Sequence, residues 1–130
     1  MTLNINELTI GQAKEAAQIF IKQDGQAHIG LNKYMIGQKV IIRTYSAGVH
    51  FGELIEKSGN EVILKNARRM YRFWCAKSIS LSGVAIHGLN LERSKICAAV
   101  PTIWLEAIEI IPCSEKAIND LEGAKDVEAE

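Results

Sequence analysis

The stretch from Lys39 to Trp74, KVIIRTYSAGVHFGELIEKSGNEVILKNARRMYRFW, most constrains what this chain can fold into. It holds three short runs rich in β-branched and aromatic residues, separated by turn signals, and it ends in a cluster of arginines and aromatics. Lys39–Tyr45 reads as a first strand, Ser46-Ala47-Gly48 as a hairpin turn, and Val49–Glu56 as the returning strand. Within that second strand Val49 and Phe51 share one face while Leu54 falls on the other, with Gly52 between them. A glycine at a change of parity predicts a bulge or sharp bend, which curls a sheet on itself. Lys57-Ser58-Gly59-Asn60 is a second turn, and Glu61–Asn66 a third strand.

The flanks predict the rest of the same sheet and two helices. Thr9 and Gln12 have capping-box spacing, and Ile10, Ala13, Ala17 and Phe20 form an apolar stripe, which predicts a helix over 10–22 that must dock on something. Gln26–Gly37 reads as a linker. Ile79–His87 reads as a fourth strand bent at Gly83, with the hydroxyls of Ser78, Ser80 and Ser82 along one face. Gly88–Thr102 is an excursion closed by Pro101, and Ile103–Ile111 is a central strand, apolar on both faces apart from Glu106 and Glu109 and stopped by Pro112. Ser114 is placed to cap a short helix through Glu122, ended by Gly123. The expected fold is therefore mainly β (α+β): a five-stranded, strongly bent antiparallel barrel with an N-terminal helix and a short C-terminal helix. Its divisions are 1–37, helix and linker; 38–113, barrel; and 114–130, helix and acidic tail.

At 130 residues and 48% apolar, the chain is long enough to bury a core and too apolar to be disordered. No apolar run approaches the roughly 20 residues of a membrane span, and no secretory leader is legible, so no membrane partner is expected and a cytoplasmic protein is the default. Cys75, Cys97 and Cys113 are odd in number and widely spaced, which favours reduced thiols over a disulfide framework. The formal net charge is zero. The average conceals a basic middle, with nine Lys/Arg against three Glu between Lys33 and Lys77, and an acidic end, with eight acids against two lysines from Glu106 onward. A local basic patch suits a small anion; a neutral whole argues against a general polyanion coat.

Val40–Ala67 resembles the first three strands of an Sm-like or SH3-like barrel, with its hairpin glycine at 48, bend glycine at 52, Leu54 and an apolar third strand. Val84-Ala85-Ile86-His87-Gly88 is similar to the Sm family's fourth-strand motif, with His87 where that motif has arginine. RNA binding is what that resemblance implies. Across most of its length the chain also resembles a set of small uncharacterised proteins encoded by bacteriophages and prophages, through INELTIGQAKE, VIIRTYSAGV, VILKNARRM and LEAIEIIPC. That likeness implies a host bacterial cytoplasm and a protein acting on host molecules.

Chemistry concentrates at Arg68, Arg69, Tyr71, Arg72 and Trp74, with Lys65 and Asn66 beside them. Guanidinium groups bind phosphate bidentately, and aromatic faces stack on bases. The alternative reading of the same alternation is a half-buried strand with Tyr71 and Phe73 on its core face and arginines in water. Arg43, a charge within VIIRTY, and His87 complete the candidate ligand-binding residues. The three histidines are scattered, and no HExxH, GxSxG or GxxxxGK occurs, so neither a catalytic centre nor a metal or cofactor is expected. These features predict a non-enzymatic homo-oligomer that sequesters a small nucleotide-type ligand, such as a host antiphage signal. Single-stranded nucleic acid and a host protein are the other partner classes considered.

Overall fold

A computed structural model describes residues 33–128. The helix expected over 10–22 and the first part of the expected linker lie outside the described residues. The strands and helices below all belong to one compact unit that begins at Met35.

Five antiparallel strands form one sheet: β1 (Lys39–Thr44), β2 (Val49–Ser58), β3 (Glu61–Arg72), β4 (Lys95–Ile96) and β5 (Val100–Pro112). Two short helices accompany them, α1 (Leu81–His87) and α2 (Glu115–Gly123). The pairings return on themselves. β1 pairs with β2, β2 with β3, β3 with β5, and β5 with β1. β4 adds a short rung at the end of β3, where Met70 faces Ile96 and Arg72 faces Lys95.

Both turns fall where the glycines predict them. Gly48 lies at φ 85° and its carbonyl accepts from Thr44 N and from Thr44 Oγ1. Gly59, at φ 59°, opens the two-residue connection from β2 to β3. The expected bend at Gly52 is also present, because the β2–β3 register shifts between Phe51 and Glu53. A Cβ at Gly52 would stand 3.1 Å from Lys65 O and 3.2 Å from Ala67 Cα, so the crossing strand leaves room there for glycine. Opposite it Asn66 takes φ 52°, a left-handed turn of the backbone that asparagine tolerates better than most residues.

The apolar run of β1 is explained by two cores. Val40 and Ile42 join Leu54, Val62, Leu64, Ala67, Leu105 and Ala107 on one side of the sheet. Ile41 faces the other way, with Phe51, Met70, Ile96 and the helix residues Val84, Ala85 and Leu121. A strand buried on both faces has no use for alternation, which is why KVIIRT reads as continuous.

Three expectations are corrected. Residues 79–87 are not a strand: Ser80 is the N-cap of α1 and its hydroxyl accepts from Gly83 N at 2.9 Å, while Gly88 closes the helix by donating to Val84 O. Buried Val84 and Ala85, with half-buried Leu81, have helical spacing, and Ile79, at 99% exposure, has no core to face. The likeness of VAIHG to a fourth barrel strand, and the row of three serines on a strand face, fall with it. Second, β3 does not end near Asn66 but runs on through Arg72, and the remaining strand is β4, inside the expected excursion. Third, Arg68 is buried within that longer strand instead of lying on a solvated face.

β5 is central, as expected, pairing with β3 through its first half and with β1 through its second. Ser114 caps α2 by accepting from Ala117 N, and its hydroxyl also donates to Ile86 O in the last turn of α1. One serine thus satisfies a donor at one helix start and an acceptor at another helix end.

His50 is 1% exposed, with Nε2 donating to Ala47 O at 2.8 Å and Nδ1 lacking a partner among the described residues. Desolvation lowers its pKa below 6.5; the Ala47 carbonyl opposes that shift and the Arg69 charge adds to it. The unfolded chain therefore takes up a proton near pH 6.5 that the folded protein refuses, and stability falls as pH drops below that value. Urea midpoints at pH 7.5 and 5.5 are expected to show this fall, and His50→Gln should flatten it; an equal drop in both proteins excludes His50 as the cause.

Candidate functional site

Arg72, Trp74, Arg93 and Lys95 are brought together by the end of β3 and the turn before β4. After Arg72 the chain leaves the strand, and Trp74 is tied at both backbone groups: its N–H donates to Ser94 Oγ at 2.9 Å and its carbonyl accepts from Asn90 N at 2.8 Å. The turn itself is closed by Asn90, whose carbonyl accepts from Ser94 N and whose side-chain oxygen accepts from Arg93 N. The result places the Arg93 guanidinium 3.7 Å from the centroid of the Trp74 ring, a cation–π stack. Trp74 keeps 42% of its surface in water.

Beside this stack a groove of about 510 Å³ runs between Leu91, Ser94 and Lys95 on one side and the segment from Gly123 to Glu128 on the other. Its size falls in the range of small-ligand sites, about 300 to 1,000 Å³. It offers Lys95 and Lys125 as cations and Asp126 and Glu128 as anions. Asp126 is held by Arg68, and the tail is further fixed by Val127 N donating to Ile96 O.

The remaining candidates are dispersed. Tyr71 is adjacent in β3, 65% exposed, but on the opposite side of the pleat from Arg72. Arg69 is exposed opposite His50. Arg43 forms an ion pair with Glu109, Nε to Oε1 2.7 Å, and His87 ends α1. Lys65 and Asn66 line a separate recess of about 250 Å³ with Lys39, Glu53 and Glu122.

Arg68 also borders that recess, but its guanidinium is engaged inside the protein. Nε donates to Cys97 O at 2.9 Å, Nη1 to Leu121 O and Ala124 O at 2.8 Å each, and Nη2 to Asp126 Oδ1 at 2.7 Å. Two of these acceptors are carbonyls at the end of α2, which the helix cannot satisfy itself. Arg68 thus clamps β3, the β4–β5 connection and the C-terminal segment.

The cysteines differ in chemistry. Burial pushes the Cys113 thiol up to about 12, so it stays protonated at neutral pH. At Cys75 burial also pushes upward, but hydrogen bonds from the Ser78 hydroxyl and the backbone N–H groups of Lys77, Ser78 and Ala76 outweigh it and lower the pKa.

Two features of the site were missed in the sequence: Arg93 and the groove at 123–128. Nothing in LERS marks its arginine, because only the Asn90 turn carries it to Trp74. Among the described residues no helix is long and apolar enough to cross a membrane.

No curated protein and no solved structure matches the chain. A family model described as a domain of unknown function, DUF6948, matches residues 37–121, from the residue before β1 nearly to the end of α2. That match covers all five strands, α1, the Trp74–Arg93 stack and Arg68 itself, and the chain belongs to this family.

Proposed function

We propose that the protein is a non-enzymatic module that binds and sequesters a small phosphate-bearing nucleotide at the Trp74 platform. The observation that carries this reading is the Arg93 guanidinium stacked 3.7 Å from the ring of a tryptophan that remains 42% exposed. An exposed indole is a stacking surface for a base, and Arg72, Arg93 and Lys95 are the phosphate partners within this arrangement. Tyr71 and Arg69 share the other side of the β3 pleat and give no support to a role in the same platform. The recess at Lys65 and Asn66 and the positions of Arg43 and His87 give no support to a role in the same site. We read the cycle of strand pairings as a small barrel of the Sm-like or SH3-like kind, acting as a homo-oligomer. The phage resemblance supplies the setting: a host bacterial cytoplasm, where a host immune signal is the nucleotide to be withdrawn.

Calorimetric titration with cyclic and linear nucleotides tests the proposal. Saturable binding is expected for at least one compound. Trp74→Ala should weaken it by about 5- to 150-fold, the equivalent of roughly 1 to 3 kcal/mol for a stacked base. Arg72→Ala should weaken it as well and, being a change at an exposed position, should keep stability within about 0.5 kcal/mol. An absence of heat across the panel at tens of micromolar protein would reject the reading.

A further inference from the structure

We infer that the edge of β5 from Val100 to Glu106, which no strand pairs among the described residues, is a docking site for an extended peptide in which lysine or arginine alternates with apolar residues. β5 changes neighbours along its length. Val100–Glu106 pairs with β3, and β1 joins the opposite side only from Ala107 onward, because β1 ends at Thr44, opposite Ala107. Among the described residues no strand pairs with that opposite side of Val100–Glu106. Ala107 N donates to Asn60 O on the β3 side. Antiparallel alternation therefore turns the backbone groups of Glu106, Trp104 and Thr102 toward the open edge. Pro101 falls on the other parity, so its missing N–H does not interrupt that row.

The surroundings of the edge select the occupant. Where β1 stops, a groove of about 290 Å³ lies between the Thr44–Ala47 turn and residues 104–108 of β5. Trp104 and Ile108 remain 54% and 52% exposed there. The Trp104 ring is held by its Nε1, which donates to Glu61 Oε1 at 3.0 Å. An added strand finds backbone partners along the edge and apolar surface for alternate side chains, the recognition mode of β-augmentation. The charge at the Glu106 end is negative: Glu106 is exposed, forms no ion pair among the described residues and faces Glu61 across the β3 pairing, while Lys65 faces Thr102 at the other end. β5 itself, VPTIWLEAIEIIP, contains no lysine or arginine, so edge-to-edge pairing of two copies brings no cation from β5 to Glu106. A basic–apolar peptide does.

The test uses the full chain and a blocked seven-residue peptide of alternating valine and lysine, with alternating valine and glutamate as its counterpart. Amide exchange and chemical shifts are followed by NMR. The lysine peptide is expected to shift Thr102, Trp104 and Glu106 saturably and to slow exchange of their amides about tenfold or more. Glu106→Gln should weaken binding by about two- to fivefold, the range for one exposed ion pair. Equal responses to both peptides, or none, overturn the inference. So does slow exchange of these three amides before any peptide is added, since the edge would then already be covered by this chain's own residues or by a second copy.

Discussion

Replacing Arg68 by methionine is expected to cost about 3 kcal/mol or more of folding stability. The ion pair with Asp126 contributes little of this, because that carboxylate is 63% exposed and solvent screens it. The larger part comes from the carbonyls of Cys97, Leu121 and Ala124, which lose the donors that Arg68 supplies. A buried polar group left without a partner costs roughly 1 to 3 kcal/mol. Methionine fills the space of the stem and isolates the hydrogen bonds as the cause. With a urea dependence of about 1 to 3 kcal/mol per molar, the midpoint should fall by about 1 M or more. Arg68→Lys should recover only part, since an ammonium group keeps the charge but lacks the planar fork that reaches acceptors on three separate segments. A midpoint unchanged within error would show that water replaces the clamp without cost.

Gly88→Ala should be similarly damaging, for a different reason. Gly88 sits at φ 88° and ψ −168°, a region that side chains reach only with strain of about 1 to 3 kcal/mol. A Cβ built there would also lie 2.1 Å from Asp120 Oδ2, so the carboxylate has to move. That oxygen accepts from Leu89 N at 3.0 Å and from Lys116 Nζ at 2.6 Å, and Leu89 is buried. Strain and a displaced acceptor together predict a loss of about 3 kcal/mol in thermal or urea unfolding. Gly123→Ala is the matched comparison: a Cβ there meets nothing within 4 Å, and it should change stability by about 0.5 kcal/mol or less. Equal effects at the two glycines would contradict the conformational argument.

These two positions also show where sequence reading stops. The hairpin at Ser46–Gly48, the bend at Gly52, the turn at Gly59 and the cap at Ser114 are local events, each decided by residues within a few positions, and each was legible. The segment 79–87 was not, because Ile79, Leu81, Val84 and Ile86 fit a bent strand by parity, while Leu81, Val84 and Ala85 fit one face of a helix. Seven residues hold too few apolar positions to separate the two periods, and Ser80, with its hydroxyl on Gly83 N, decided the outcome. Arg68 posed a different problem. Its acceptors Cys97, Leu121 and Ala124 lie 29, 53 and 56 positions away, and no local pattern announces a carbonyl at the end of a distant helix. Arginines two residues or less from one another, Arg68 and Arg69, therefore look alike in the sequence, while one is 5% exposed and internally bonded and the other faces water. Trp74 was singled out in the sequence, but its companion Arg93 was not.

Fluorescence of Trp74 tests the nucleotide platform most directly. The chain has two tryptophans, so Trp104→Phe leaves Trp74 as the sole reporter. Titrating this variant with the nucleotide that gives the largest calorimetric signal is expected to quench its emission saturably, with the same Kd as the heat of binding, and Arg93→Ala should weaken both together. Saturable heat with unchanged Trp74 emission would place the ligand elsewhere on the protein and contradict the account.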